Sequence, residues 1–82
     1  MSSKRVIDNN EFFDEIYNEY YINVFNKIRD TLYTKVDDDI TSCIQDTFMK
    51  AWQNIEILKE HKNVAGWLVI TAKNVAMDDM VQ

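Results

Sequence analysis

An all-α bundle of three main helices is the fold this sequence predicts. Proline is absent and Gly66 is the one glycine, so the tight turns of a β-rich domain have no residues to build them. Apolar residues recur at steps of three and four through most of the chain, the period of a helix packed on one side. Hydrophobic residues make up 46% of the 82, enough for a core and too many for a disordered chain of ordinary charge. A single domain of this length buries only roughly 60% of its unfolded surface. Its apolar positions must therefore be used efficiently.

The elements follow in order. Residues 1–10 are expected to be a flexible N-terminus ahead of one helical domain over residues 11–82. Asn9 or Asn10 can cap a first helix starting at Glu11. Its stripe is Phe13, Ile16, Tyr17, Tyr20, Val24, Ile28 and Leu32, widened by Phe12, Tyr21 and Phe25. These aromatics are at core spacing, and a bend would fall at Tyr21-Ile22-Asn23. Tyr33 to Val36 reads as a link. Asp37 and Asp38 suit the start of the second helix, because a carboxylate accepts first-turn amide hydrogens and complements the helix dipole. That helix carries Ile40, Ile44, Phe48, Ala51, Ile55 and Leu58 in one stripe to near Lys59, with Thr47 and Trp52 flanking.

Asn63 is the expected cap of the third helix, which has two apolar lines. Val64, Leu68, Thr71, Ala72 and Val75 form one; Trp67, Ile70, Met77 and Val81 form the other, with Asn74 inside it. A helix that is apolar on two sides is either central in a bundle or packs on one side and binds on the other. The chain ends within this helical pattern, as a domain of a longer protein would.

Charge and cysteine content narrow the function. The net charge is −5. Residues 1–41 hold nine acidic and five basic side chains, a balance of −4; residues 42–82 hold five and four, a balance of −1. A protein that grips duplex DNA unaided is usually basic, since phosphate neutralisation supplies much of the affinity. Any nucleic-acid contact here must be local or helped by a partner. One cysteine, Cys43, makes no intrachain disulfide. No apolar run follows Lys4 and Arg5, and no apolar run is long enough to span a bilayer. A cytoplasmic location away from the membrane is expected.

Catalytic signals are weak. Cys43 lies in a different segment from His61, the only histidine, and reads as a small buried residue. His61 has no second His or Cys at ligand spacing. Asp37-Asp38-Asp39 lacks the spacing and glycine of a calcium loop and reads as a capping cluster. Neither a phosphate loop nor a nucleophile with its base is present. The expectation is a non-enzyme without metal or cofactor. Acidic residues working with a metal are the weakest of the alternatives.

Three polar positions depart from the packing pattern. Gln45 lies beside the stripe of the second helix, either as a plain solvent-facing residue or as part of a contact face. Asn74 within an apolar line costs about 1–3 kcal/mol if unsatisfied. It either bonds backbone inside the bundle or waits for an external edge such as a base. Lys59, Lys62 and Lys73 bracket the start of the third helix near Asn63, Trp67 and Asn74. Cation, aromatic ring and amide together suit an unpaired strand.

These residues carry a resemblance. Ser42-Cys43-Ile44-Gln45-Asp46-Thr47-Phe48-Met49-Lys50-Ala51-Trp52, then Trp67-Leu68, Ala72-Lys73-Asn74 and Asp78, with Phe13-Asp14-Glu15-Ile16-Tyr17 and Tyr20-Tyr21 at the start, resemble region 2 of the extracytoplasmic-function group of bacterial sigma factors. The likeness spans residues 11–82. It implies a transcription initiation domain with two surfaces. Asp39, Gln45 and Asp46 match the positions that dock on the clamp helices of the RNA polymerase β′ subunit. Lys62, Asn63, Trp67, Lys73 and Asn74 fall where the family captures the melted non-template strand of the promoter −10 element. An anti-sigma factor is a further implied partner. Ser42 stands where the family usually has aspartate, Lys73 replaces a planar arginine, and Asp79 stands where an aromatic or basic residue is common. The alternative is a helical protein-interaction domain that binds an anti-sigma-like regulator or a second copy of itself, without DNA.

Overall fold

The computed structural model describes residues 7–32 and 37–81, without the side chains of Asp37 and Val81. Four α-helices follow one another: α1 (Asn9–Thr31), α2 (Asp37–Gln53), α3 (Ile55–Lys59) and α4 (Val64–Val81). The all-α prediction holds, with α1, α2 and α4 as the three long helices.

Helix α1 starts two residues earlier than Glu11. Its cap is Asp8, whose carboxylate accepts the Glu11 amide hydrogen at 2.7 Å. A charged acceptor at the positive end of the helix outcompetes a neutral amide. Asn9 is instead the first helical residue. Its side chain donates to Glu56 Oε2 and accepts from Lys59 Nζ, both at 2.9 Å, tying α1 to α3. The helix runs unbroken through Tyr21-Ile22-Asn23.

The second predicted helix is divided. Asn54 separates α2 from α3, with φ −112° and ψ 24°. Its side-chain amide donates to the Lys50 carbonyl at 2.8 Å, and its backbone N–H is shared between the Lys50 and Ala51 carbonyls at 3.1 and 3.2 Å. A short amide that bonds the preceding turn competes with the helical ladder. The apolar stripe nevertheless continues, and Ile55 and Leu58 are both buried. The predicted link Tyr33–Val36, and with it the residue preceding α2, lies outside the described residues.

Asn63 opens α4 as expected. Its Oδ1 accepts the Gly66 amide hydrogen at 2.9 Å and its carbonyl accepts that of Trp67 at 3.1 Å. His61 fixes the approach, because its Nδ1 accepts the Asn63 amide hydrogen at 2.9 Å. His61 is exposed, yet it shapes the loop.

Helices α1, α2 and α4 each pack on the other two, and α3 touches α1 and α2. Val24, Ile28, Leu58 and Leu68 are sealed from solvent at the centre. Fully burying such a side chain contributes about 1.5–3 kcal/mol. The small residues Ala51, Ala72 and Ala76 are also fully buried, and the spacing between helix axes follows the side chains at the contact. Thr47 is buried with its Oγ1 donating to the Cys43 carbonyl at 2.8 Å, which removes the cost of an unmet hydroxyl.

Aromatic rings fasten α1 to α2. Phe13 meets Phe48 and Trp52 edge to face at 6.2 and 5.5 Å, and Tyr17 lies 4.7 Å from Phe48 and 5.4 Å from Tyr21. These rings are half-buried or exposed rather than central, apart from Phe48. No helix among the described residues is long and apolar enough to cross a membrane.

Candidate nucleic-acid and partner interface

Helix α4 places its site residues by simple arithmetic. Leu68, Ala72, Val75 and Ala76 face the core. Trp67, Thr71, Asn74 and Asp78 recur at steps of four, three and four and therefore share one side of the helix. Across from them, Lys50, Gln53 and Asn54 stand at the end of α2 with the same kind of spacing. Together with Val75, these two rows line a groove of about 290 Å³, at the small end of the range for ligand pockets.

The groove is polar and its groups are largely uncommitted. Asn74 is exposed, so of its two readings the one inside the bundle is excluded. Neither Asn74 nor Gln53 is engaged in a hydrogen bond among the described residues. Asn54 spends one amide hydrogen on the Lys50 carbonyl. Neither Lys50 nor Asp78 is held in an ion pair among the described residues. Trp67 is half-buried and packs against the core, leaving part of its ring open.

The groove continues into a second recess of about 190 Å³, lined by Cys43, Asp46, Lys50, Val75, Asp78 and Asp79. Cys43 is the buried floor. Burial first, then the nearby Asp79, Asp46 and Asp39 carboxylates, push its thiol up to about 11. Such a thiol stays protonated at neutral pH and is a poor nucleophile.

The predicted strand-binding residues are only partly brought together. Trp67 and Asn74 share the groove. Lys73 is exposed beside Asn74 but is not among the lining residues, and Lys62 and Asn63 are exposed in the loop ahead of α4. The Asn63 side-chain oxygen is occupied with capping. Lys59, half-buried, is turned to Asn9 of α1. Sequence reasoning missed Lys50, Gln53, Asn54 and Asp78 as groove residues. The available signal was the 67-71-74-78 spacing, which Thr71 obscured because it also fits the buried line.

The predicted partner-binding residues divide between two sides of α2. Gln45 is exposed and shares a stripe with Met49 and Trp52, both exposed, the latter 43%. Asp46 is exposed but turns to the acidic recess, and Asp39, seven residues earlier, is half-buried. The outward side of α4 adds exposed apolar residues, with Ile70 62% exposed and Met77 and Met80 beyond it.

The domain thus has an amide-lined groove on one side and the exposed Gln45, Met49 and Trp52 stripe on another. The profile of the Sigma-70 region 2 family matches residues 16–82, and the chain belongs to that family. Its members are transcription factor domains that act in RNA polymerase binding and promoter melting. No curated protein and no solved structure matches the chain.

Proposed function

We propose that this chain is region 2 of a sigma factor of the extracytoplasmic-function group. In this reading the α2 face carrying Gln45, with Asp46 and Asp39 along the same helix, docks on the clamp helices of the polymerase β′ subunit. The loop before α4 and the α2–α4 groove capture the melted non-template strand of the −10 element. The observation that carries the reading is the exposed Asn74, unengaged and beside the half-open Trp67 in a groove of about 290 Å³. Unpaired bases are held by stacking on such rings and by bonds to their exposed edges. Lys62 and Lys73 are exposed and do not line the groove, and they are offered to phosphates of the strand beyond it. The acidic balance of the chain fits a division of labour in which polymerase supplies the electrostatic grip.

Fluorescence anisotropy with a labelled single strand tests this, using the protein alone at low salt and bound to core polymerase. Trp67→Ala should weaken binding by about 1–3 kcal/mol, the usual worth of one stacked base, and Asn74→Ala should weaken it as well. Equal binding by wild type and both variants would reject the strand-reading role.

The apolar residues on the outward side of α4, Ile70, Met77 and Met80, favour a second reading. There the domain binds an anti-sigma-like regulator or a second copy of itself through that side. Sedimentation over a range of concentrations distinguishes the self-association form, and a persistent monomer would count against it.

A further inference from the structure

We infer that Asn9, at the start of α1, is a positioning residue for the loop ahead of α4, which it holds through α3. The inference rests on the strand-binding reading above, in which that loop presents Lys62 and Asn63, and it names what sets the loop in place.

Helix α3 is only five residues long. Isolated helices shorter than about 12–15 residues are marginal in water, so the neighbours of α3 must fix it. Ile55 and Leu58 are buried, and residues three apart lie on one line along a helix. A single such line anchors the helix but leaves it able to roll. Glu56 and Lys59, each one position further on, form a second line. The Asn9 side chain holds both: its Nδ2 donates to Glu56 Oε2 and its Oδ1 accepts from Lys59 Nζ, each at 2.9 Å. With two lines held, α3 cannot roll.

The amide is specific to this place. It carries a donor on one arm and an acceptor on the other, and each arm meets the charge that suits it. Bonds to charged partners are the stronger kind. A carboxylate at the same position would keep Lys59 but would face Glu56 with a like charge. The bridge also accounts for Lys59, which is half-buried and committed to Asn9.

From α3 the hydrogen bonds run on to α4. The His61 amide donates to the Leu58 carbonyl at 3.0 Å. His61 Nδ1 accepts from the Asn63 amide, and Asn63 Oδ1 accepts from the Gly66 amide, both at 2.9 Å. Asn9 is thereby linked to the first turn of α4. Lys62 lies inside this run, between the two side chains that fix the loop, so its placement follows the bridge.

The test uses Asn9→Asp, Glu56→Gln and the double variant, each in the full chain. Asp8 still caps α1 in all three, and an acid in the first turn suits the helix dipole, so Asn9→Asp keeps that helix. It should nonetheless speed hydrogen exchange at the Asn63 and Gly66 amides severalfold while the core amide of Leu68 stays protected. Its affinity for a labelled mixed-sequence DNA strand of about 12 nucleotides, alone and on core polymerase, should fall roughly threefold to tenfold, the scale of one hydrogen bond to a charged group. Glu56→Gln alone should match wild type in both measurements, because its carbonyl still accepts from Asn9. In the double variant the glutamine amide and Lys59 both donate to the carboxylate at position 9, at wild-type net charge. Both measurements should return to within about twofold of wild type. Unchanged loop exchange in Asn9→Asp, failure of the double variant to restore it, or strand affinity that does not follow loop exchange overturns the inference and leaves strand binding standing. If wild type binds no strand, alone or on polymerase, the strand-binding reading falls and the inference with it.

Discussion

The Asn63 side chain accepts the Gly66 amide hydrogen at 2.9 Å, and a Cβ built on Gly66 would lie 2.5 Å from the Nδ2 of that same side chain. The cap and the glycine are therefore one device. Glycine suits this position because the capping amide occupies the space of a methyl group, its φ being unexceptional.

Gly66→Ala sets two effects against each other. Alanine is about 1 kcal/mol better than glycine within a helix, and displacing the Asn63 cap costs about 1 kcal/mol. Stability should change little, within roughly 1 kcal/mol by these figures. The loop carrying Lys62 and Asn63 must shift, so strand binding should fall. Asn63→Ala should instead lower stability by about 1 kcal/mol, with no compensating gain. Urea denaturation together with strand anisotropy separates the two cases.

Leu68 is fully buried on the core side of α4. Leu68→Ala should destabilise by about 2–5 kcal/mol, through lost transfer energy and a residual cavity. Small domains have total stabilities near the low end of about 5–15 kcal/mol, so much of the fold's margin would go. The check is the midpoint of thermal or urea unfolding.

Cys43 makes stability depend on alkaline pH. Its folded value, about 11, lies above the ordinary thiol value of 9.0, so the folded state holds this proton more tightly. The contribution is fully present below about pH 9 and is lost as pH rises toward about 11. Urea denaturation at pH 8 and pH 10.5 should show the decline, and Cys43→Ala should flatten it over that window. The same burial should make alkylation by iodoacetamide much slower in the native protein than in urea.

Phe13 and Trp52 join α1 to α2 by an edge-to-face contact at 5.5 Å. A double-mutant cycle with Phe13→Leu and Trp52→Leu should give a coupling of about 0.5–1.5 kcal/mol. A coupling near zero would mean that Trp52, exposed beside Gln45 and Met49, is not held by this contact and belongs wholly to the outer face.

Much of this fold was legible because periodicity reports burial directly. The stripe Ile40, Ile44, Phe48, Ala51, Ile55 and Leu58 is buried throughout, and Leu68, Ala72 and Val75 are the core line of α4. What escaped were events set by single polar side chains. Asp8 took the cap expected of Asn9 or Asn10, and Asn54 divided a helix whose apolar pattern runs straight past it. The site was legible only where a residue broke the pattern, as Asn74 did within an apolar line. Lys50, Gln53 and Asp78 broke nothing, since a charged or polar residue on an open helix face is ordinary. Only the approach of α2 to α4 turns them into a groove, and that approach is a tertiary fact no local spacing encodes.

The most direct test of the whole account is to measure, on the same preparations, affinity for core polymerase and affinity for a single strand in Gln45→Ala and Asn74→Ala. Both side chains are exposed and on separate helices, so neither change should disturb the fold. The account predicts a crossed result: Gln45→Ala loses core polymerase and keeps the strand, and Asn74→Ala loses the strand and keeps core polymerase. Loss of both affinities in one variant, or of neither in either, would contradict the existence of two separate binding faces.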